Sequence, residues 1–368
     1  MMTLEASPPA KVPRSRKKTI IRVVEILISV AIIVGVFFFF VPTIASYSDV
    51  WATVKTLTFM QLMVLAGATV VNILTYWTQM VAFMPGLTLA QAAVNNQTST
   101  SVANTLPGGG ALAIGVAYAM FRSWGFSDTD IVLFTLDTGV WNMFLKLGLP
   151  LIAFAVLVAT GHGSGASIIP ALIGLAVLLG SIALFALLLW KKKFAFAIGS
   201  RLGRAVSALR KLVRKPPVES WGDDAVRFRK QTNTLVARRW LPMTLSTVVS
   251  HLSLFLVLLL ALRYVGVSGA QVSWAQVLAV FAFGRLASAV PFTPGGLGVV
   301  EAAYIQGLVL AGGAHARVVA AVLVFRALTY GIQIPLGAIT YVVWQRMKKW
   351  RKAQAPTEAV AAPMGTAP

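Results

Sequence analysis

Cysteine is absent from the 368 residues, and histidine occurs three times, at His162, His251 and His315. No disulfide, thiolate metal site or cysteine nucleophile can be built. Three scattered histidines form no metal-ligand motif, so no metal and no cofactor is expected. Charge is also scarce. Asp, Glu, Lys and Arg make up 12% of the chain, about half the ~25% of a soluble domain. Acid is the scarcer sign, with 11 Asp and Glu against 32 Lys and Arg. What fills the space is apolar: 57% of the residues are hydrophobic and the mean hydropathy is +0.78. Several runs of about 20 apolar residues match a hydrocarbon core of roughly 30 Å. The composition is that of a multi-pass membrane protein.

A net charge of +21 would suit nucleic acid if it covered a soluble face, but it is gathered in blocks beside apolar runs. Residues 1–22 hold six Lys/Arg, residues 191–240 hold fourteen and residues 345–368 hold five, leaving seven elsewhere. Such clustering sets topology, because basic loops stay on the cytoplasmic side. No nucleic-acid partner is expected.

Six spans are predicted, at Thr19–Val41, Phe59–Met84, Ile131–Ala159, Ile169–Trp190, Leu241–Tyr264 and Val318–Trp344. The flank of the first also has the look of a signal peptide. Residues 1–18 and 346–368, basic or Ala/Pro-rich, are expected to be disordered tails around a transmembrane domain over 19–345. Between the spans lie two apolar stretches that cannot be plain helices, Ala92–Trp124 and Trp274–Gly313. The first contains Pro107-Gly108-Gly109-Gly110, the second Pro294-Gly295-Gly296-Leu297-Gly298. A glycine follows each proline after 18 residues, Gly125 and Gly312, and the spans beyond carry Gly148-Leu149-Pro150 and Pro335-Leu336-Gly337. Proline and glycine stop helices. A stop at membrane depth is tolerated only where protein or a wet cavity satisfies the freed backbone.

Parity decides how the broken stretches run. If each is a re-entrant hairpin and the N-terminus is cytoplasmic, all three basic blocks fall on the cytoplasmic side, as the positive-inside bias requires. If both crossed, the fourteen-charge block would lie outside. The expected fold is therefore an all-α polytopic membrane protein with about six transmembrane helices. Two Pro-Gly-Gly-broken re-entrant hairpins complete it, and residues 59–159 and 241–344 form an inverted repeat. Both termini are expected in the cytoplasm of a cell (plasma) membrane protein. Paired broken helices are a pointer to a transport site between repeats.

Charge inside such stretches needs a reason. Arg285, Glu301 and Arg326 gather around the second break, and Asp137 and Lys146 follow the first. The arginines suit a phosphate or carboxylate, and a half-helix N-terminus with its glycines would add backbone donors. Glu301 would hold an arginine, bind an amine or carry a proton, or merely pair with Arg326 or Arg285 to make burial tolerable. Asp137 and Lys146 are a relay or a local pair. The approach to the first break, Asn95 to Ser101 and then Asn104-Thr105, is polar but uncharged. It is either a hydrogen-bonding wall for a head group or small-residue packing between helices. The candidate binding set is Asn104, Pro107, Gly108, Gly109, Arg285, Pro294, Gly295, Gly296, Glu301 and Arg326. In the basic region, Ile198, Leu202, Leu209 and Leu212 favour one face of an amphipathic helix on anionic lipid, against a plain solvated loop.

Pro291-Phe292-Thr293-Pro294-Gly295-Gly296-Leu297-Gly298-Val299-Val300-Glu301, with Gly312, Phe325-Arg326, Pro335 and Gly337, resembles the signature of the lysylphosphatidylglycerol synthase transmembrane-region family. Leu106-Pro107-Gly108-Gly109 fits its first half, and the resemblance covers about residues 20–345. It implies a flippase-like fold with two inverted re-entrant elements, lipid translocation, and Pro294, Gly295, Gly296, Glu301 and Arg326 in a central cavity. Nothing matches the soluble aminoacyl-transferase domain of some relatives, so lipid aminoacylation, and enzyme activity generally, is not expected. The implied partners are membrane lipids, with an anionic phospholipid or lipid-linked head group as cargo. A second copy or a partner membrane enzyme stays open. Competing readings are a secondary transporter of a small anionic solute, a membrane-embedded enzyme and a scaffold. Paired acids for the enzyme are limited to Asp137 and Glu301, which stand in different repeats.

Overall fold

Four helices begin with the same device. Thr58, Thr88, Ser127 and Ser273 each accept the backbone N–H three residues on, and Gln61, Gln91, Asp130 and Gln276 bond back to the cap's own N–H. Each reciprocal pair satisfies two N–H groups that a helix start leaves open. The computed structural model of the chain describes residues 47–106, 108–161, 168–212, 216, 220–288, 296–347 and 350. In order they form α1 (Tyr47–Lys55), α2 (Phe59–Phe83), α3 (Leu89–Thr105), α4 (Gly109–Ser123), α5 (Asp128–Ala159) and α6 (Ile168–Trp190). Then follow α7 (Lys192–Leu212), α8 (Trp221–Tyr264), α9 (Trp274–Ala287), α10 (Val299–Leu310), α11 (His315–Arg326), a π turn (Ala327–Gly331) and α12 (Gln333–Arg346). No strand occurs among the described residues.

Four helical stretches are long and apolar enough to cross a membrane: Phe59–Phe83, Asp128–Ala159, Trp221–Tyr264 and His315–Arg346. The stretch Leu175–Leu187 would make a fifth if taken together with Lys192–Ala208, across a bend of 104°. The expected first span (Thr19–Val41), the 1–18 tail and the chain after Trp350 lie outside the described residues, as do Pro107, Pro294 and Gly295. Large apolar side chains stand exposed along these helices, among them Phe59, Val70, Ile152, Leu179 and Ile339. A soluble monomer does not tolerate so much contiguous apolar surface, and the molecule is a multi-pass membrane protein.

Two expected borders move. The span expected to begin at Leu241 is the second half of α8, a 44-residue helix that starts at Trp221 and carries part of the basic region within it. No glycine or proline interrupts the chain between Asp223 and Leu241, so charge alone gives the helix no reason to stop. The last span is a helix interrupted by the π turn, with Pro335 just inside α12. The rest of the basic region forms α7. Its buried stripe is Ala195, Gly199 and Gly203, while Leu202, on the face expected to meet lipid, is 54% exposed. A Cβ at Gly199 would lie 2.3 Å from the Trp221 carbonyl oxygen, so small residues let α7 lie directly on α8.

The arms of the two broken stretches are short. Helices α9 and α10 have 14 and 12 residues, about 21 and 18 Å of rise, too little for a hydrocarbon core of roughly 30 Å. Helix α3 packs on α4 and α9 on α10. Across the molecule α2 packs on α8, α3 on α12 and α5 on α9. When α2–α5 is set against α8–α12, the first contact maps onto itself and the other two onto each other.

Apolar packing is concentrated in two places. One cluster joins α8 to α11 through Leu258, Leu262, Phe281, Tyr304, Leu308 and Val322, and the other lies under α2–α5 around Phe83, Met84, Met120 and Phe121. Tyr304 stacks on Phe281 with 6.3 Å between ring centroids and meets Phe325 edge-on. A Cβ on Gly284 would fall 2.0 Å from the Tyr304 ring, so that glycine sets how closely α9 and α10 approach.

Candidate functional site

The second arm of each broken stretch starts from a glycine with positive φ, Gly108 at 65° before α4 and Gly298 at 84° before α10. Side chains with a Cβ rarely adopt that backbone. The two starts are completed differently. At α10 the Glu301 carboxylate turns back and accepts the Gly298 N–H at 2.8 Å. At α4 no side chain caps the start. The Gly298 N–H at the start of α10 is thus taken by the protein's own Glu301. Gly109 is explained by the hairpin, because a Cβ there would meet the Ala103 carbonyl oxygen at 2.5 Å. Gly108 is exposed with open space beside it. Gly296 is buried at φ 73°, against Val300.

Glu301 has a second partner. Its Oε1 accepts Arg326 Nε at 2.6 Å, with side-chain exposures of 8% and 14%. Arg326 also lies over the Tyr330 ring, 4.4 Å from its centroid. Tyr330 belongs to the π turn, an irregularity that places side chains off the regular helical register. Its hydroxyl donates to the Asn104 carbonyl, and Asn104 Nδ2 donates to the Tyr330 carbonyl at 3.4 Å. The polar approach to the first break and the charged pair of the second are therefore joined by reciprocal hydrogen bonds.

Arg285, at the end of α9, takes another route. Its Nη2 lies 3.2 Å from His251 Nε2. His251 is fully buried, and its Nδ1 lies 3.0 Å from the Thr247 carbonyl. A carbonyl can only accept, so Nδ1 carries the proton and Nε2 accepts from the guanidinium. Arg285 Nε is buried and meets no partner among the described residues.

These groups surround one cavity of about 280 Å³. Asn96, Thr100 and Asn104 line it from α3, Asn72 and Tyr76 from α2, Arg285 from α9 with Ser288 just past its end, and Arg326, Thr329, Tyr330 and Gln333 from the last span. The polar run before the first break therefore faces two ways. Asn96, Thr100 and Asn104, spaced by four, face the cavity. Thr98 and Ser101 bond Thr340 and the Ile334 carbonyl of α12.

Of the residues singled out in the sequence, Asn104, Arg285 and Arg326 line the cavity, and Glu301 stands directly behind Arg326. Asp137 is fully buried elsewhere: Thr232 of α8 donates to its Oδ1 at 3.4 Å, and Oδ2 meets no partner among the described residues. It makes no ion pair with Lys146. Lys146 lies within electrostatic reach of Arg285 and His251. Pro107, Pro294 and Gly295 lie outside the described residues. His251, Asn72, Tyr76, Tyr330 and Gln333 were not singled out. A signal was available in their spacing, with Asn72 and Tyr76 four apart and Arg326, Tyr330 and Gln333 recurring at four and seven, one helical face in each case. Among the described residues no cluster of His, Asp or Glu could hold a metal ion.

The family described as the lysylphosphatidylglycerol synthase TM region matches residues 26–337. No curated protein matches the chain.

Proposed function

This chain belongs to the lysylphosphatidylglycerol synthase transmembrane-region family, and from that premise we propose that it moves anionic or lipid-linked head groups between leaflets. The observation that carries the reading is the shared cavity. Both broken stretches contribute to it, and its cations outnumber its anions. Arg326 is balanced by Glu301, whereas Arg285 rests on a neutral imidazole and lies near Lys146. A phosphate supplies the missing negative charge and takes arginine donors in pairs. The uncharged wall of Asn96, Thr100 and Asn104 offers hydrogen bonds to the rest of a polar head group. The cavity holds a head group, and the acyl chains stay in the lipid beside it.

In this reading the short arms α3–α4 and α9–α10 are re-entrant hairpins entering from opposite faces, and the halves are an inverted repeat rocking about the cavity. The termini lie on the cytoplasmic side of the plasma membrane. This reading assigns the chain no catalysis, in keeping with Asp137 and Glu301, which stand at separate places, each with its own partner. The basic helix α7, bent by 104° from the helix before it, lies along the anionic membrane surface.

The test is exchange of head-group-labelled phosphatidylglycerol and phosphatidylcholine in proteoliposomes, read by access of a membrane-impermeant quencher. The full chain is expected to speed phosphatidylglycerol exchange. Arg285→Gln and Arg326→Gln are each expected to lower it by about tenfold or more, as the loss of a charged hydrogen bond implies. Exchange unaffected by either substitution would overturn the reading and leave a small anionic solute or a scaffold role.

A further inference from the structure

A second cavity lies far along α8 from the first, where the helix emerges from its apolar half. It measures about 540 Å³ and is lined by Lys230, Gln231, Thr234, Leu235, Arg238 and Arg239 of α8, with Pro85 from the turn between α2 and α3. Nothing in the transport reading uses it. Arg239 is fixed in its wall, since Nη1 donates to the carbonyls of Val81 and Ala82 at 3.2 Å each, the open end of α2. Lys230 and Arg238 are exposed.

The position along α8 indicates the occupant. Trp240 and Leu241 are 55% and 48% exposed, and from Leu241 the helix carries no Asp, Glu, Lys or Arg as far as Arg263. An exposed tryptophan at the start of an apolar helical run marks the membrane interface. Arg238 and Arg239 stand within one turn of that mark, and Lys230 about 15 Å further out. The head-group layer adds roughly 5–8 Å to each side of the hydrocarbon core, so the two arginines lie at its depth, and Lys230, which lines the same cleft, stands on the water side of it. The walls combine three cations with an apolar side (Leu235 and Pro85), and no acidic residue lines them. A soluble anion would need only the cations. An open, half-apolar cleft at this depth also fits the glycerol and first methylenes of a lipid.

We propose that this cleft is a binding site for an anionic phospholipid of the adjacent leaflet, its phosphate held between Arg238 and Arg239 and its head group reached by Lys230. The lipid seats against the turn joining α2 to α3, so occupancy ties the first broken stretch to the basic end of α8. The site is separate from the central cavity and does not depend on what that cavity carries.

The full chain in nonionic micelles, titrated with phosphatidylglycerol and followed by thermal unfolding, tests this. Phosphatidylglycerol is expected to raise the Tm above the level given by equal phosphatidylcholine. Lys230→Gln with Arg238→Gln should weaken the apparent affinity about thirtyfold, as the loss of two basic residues beside an anionic head group implies. Arg239 is left in place because it closes α2. Lys55→Gln with Arg346→Gln, two exposed cations that do not line the cleft, should leave the titration unchanged. Glycerol phosphate at the same concentration should give no gain. The proposal is overturned if phosphatidylglycerol does no more than phosphatidylcholine, or if the Lys230/Arg238 variant keeps the full response. It is also overturned if the Lys55/Arg346 variant loses as much, or if glycerol phosphate alone reproduces the gain.

Discussion

Glu301 serves two partners that need different things from it. Gly298 needs an acceptor and Arg326 needs a charge. Glu301→Gln keeps the first and loses the second, leaving a nearly buried guanidinium whose carboxylate is gone. Breaking such a pair from one side costs about 3–5 kcal/mol, whereas removing both partners costs far less. Glu301→Gln and Arg326→Gln are each expected to lower the Tm in detergent, and the double variant to recover part of the loss, with a coupling of about 2 kcal/mol. Additive losses would mean that the two side chains do not act as a pair. Charge in an apolar run made Glu301, Arg285 and Arg326 legible in the sequence. His251 was passed over because it was sought as a metal ligand, whereas its role is to present a neutral acceptor to Arg285. Tyr330 and Asn72 carry no charge, and only the fold shows that they meet the cavity.

At the scale of elements, the breaks were legible because proline and glycine act locally. The capping boxes Thr58/Gln61, Thr88/Gln91, Ser127/Asp130 and Ser273/Gln276 were equally available and would have fixed four helix starts. The run of α8 through the basic region was not legible, because topology rules speak of charge and a helix is stopped by backbone chemistry. Helix contacts were hidden for another reason: they depend on which small residue meets which neighbour. Gly337 is such a case, since a Cβ there would fall 2.1 Å from Ser101 Cβ and 2.5 Å from the Gln97 carbonyl oxygen, both on α3. Gly337→Val is expected to push α12 off α3 and destabilise the protein by about 1–3 kcal/mol, read as a lower Tm. Gly110→Val, where a Cβ meets nothing within 4 Å, serves as the comparison. Equal loss in the two would show that the α3–α12 approach is not the constraint.

For the whole molecule, the absence of cysteine offers a direct test of orientation. Ala111 and Val299, both exposed and each near the start of a second arm, are expected to be labelled from opposite sides of sealed vesicles when either is replaced by cysteine. Labelling from one side would remove the inverted repeat. The expectation of a repeat rested on the spacing of the breaks, and the way the two halves hold each other was not legible in it. Helix α3 rests on α12 and α9 rests on α5, so each hairpin is clasped by the last span of the opposite half. A half on its own would leave its hairpin without that support, and the two halves stand to each other as subunits do. Helices α6 and α7, which join them, therefore act on folding as a tether acts on a dimer. They hold the partners at a fixed effective concentration, so that an association otherwise dependent on protein abundance proceeds within a single chain at any dilution.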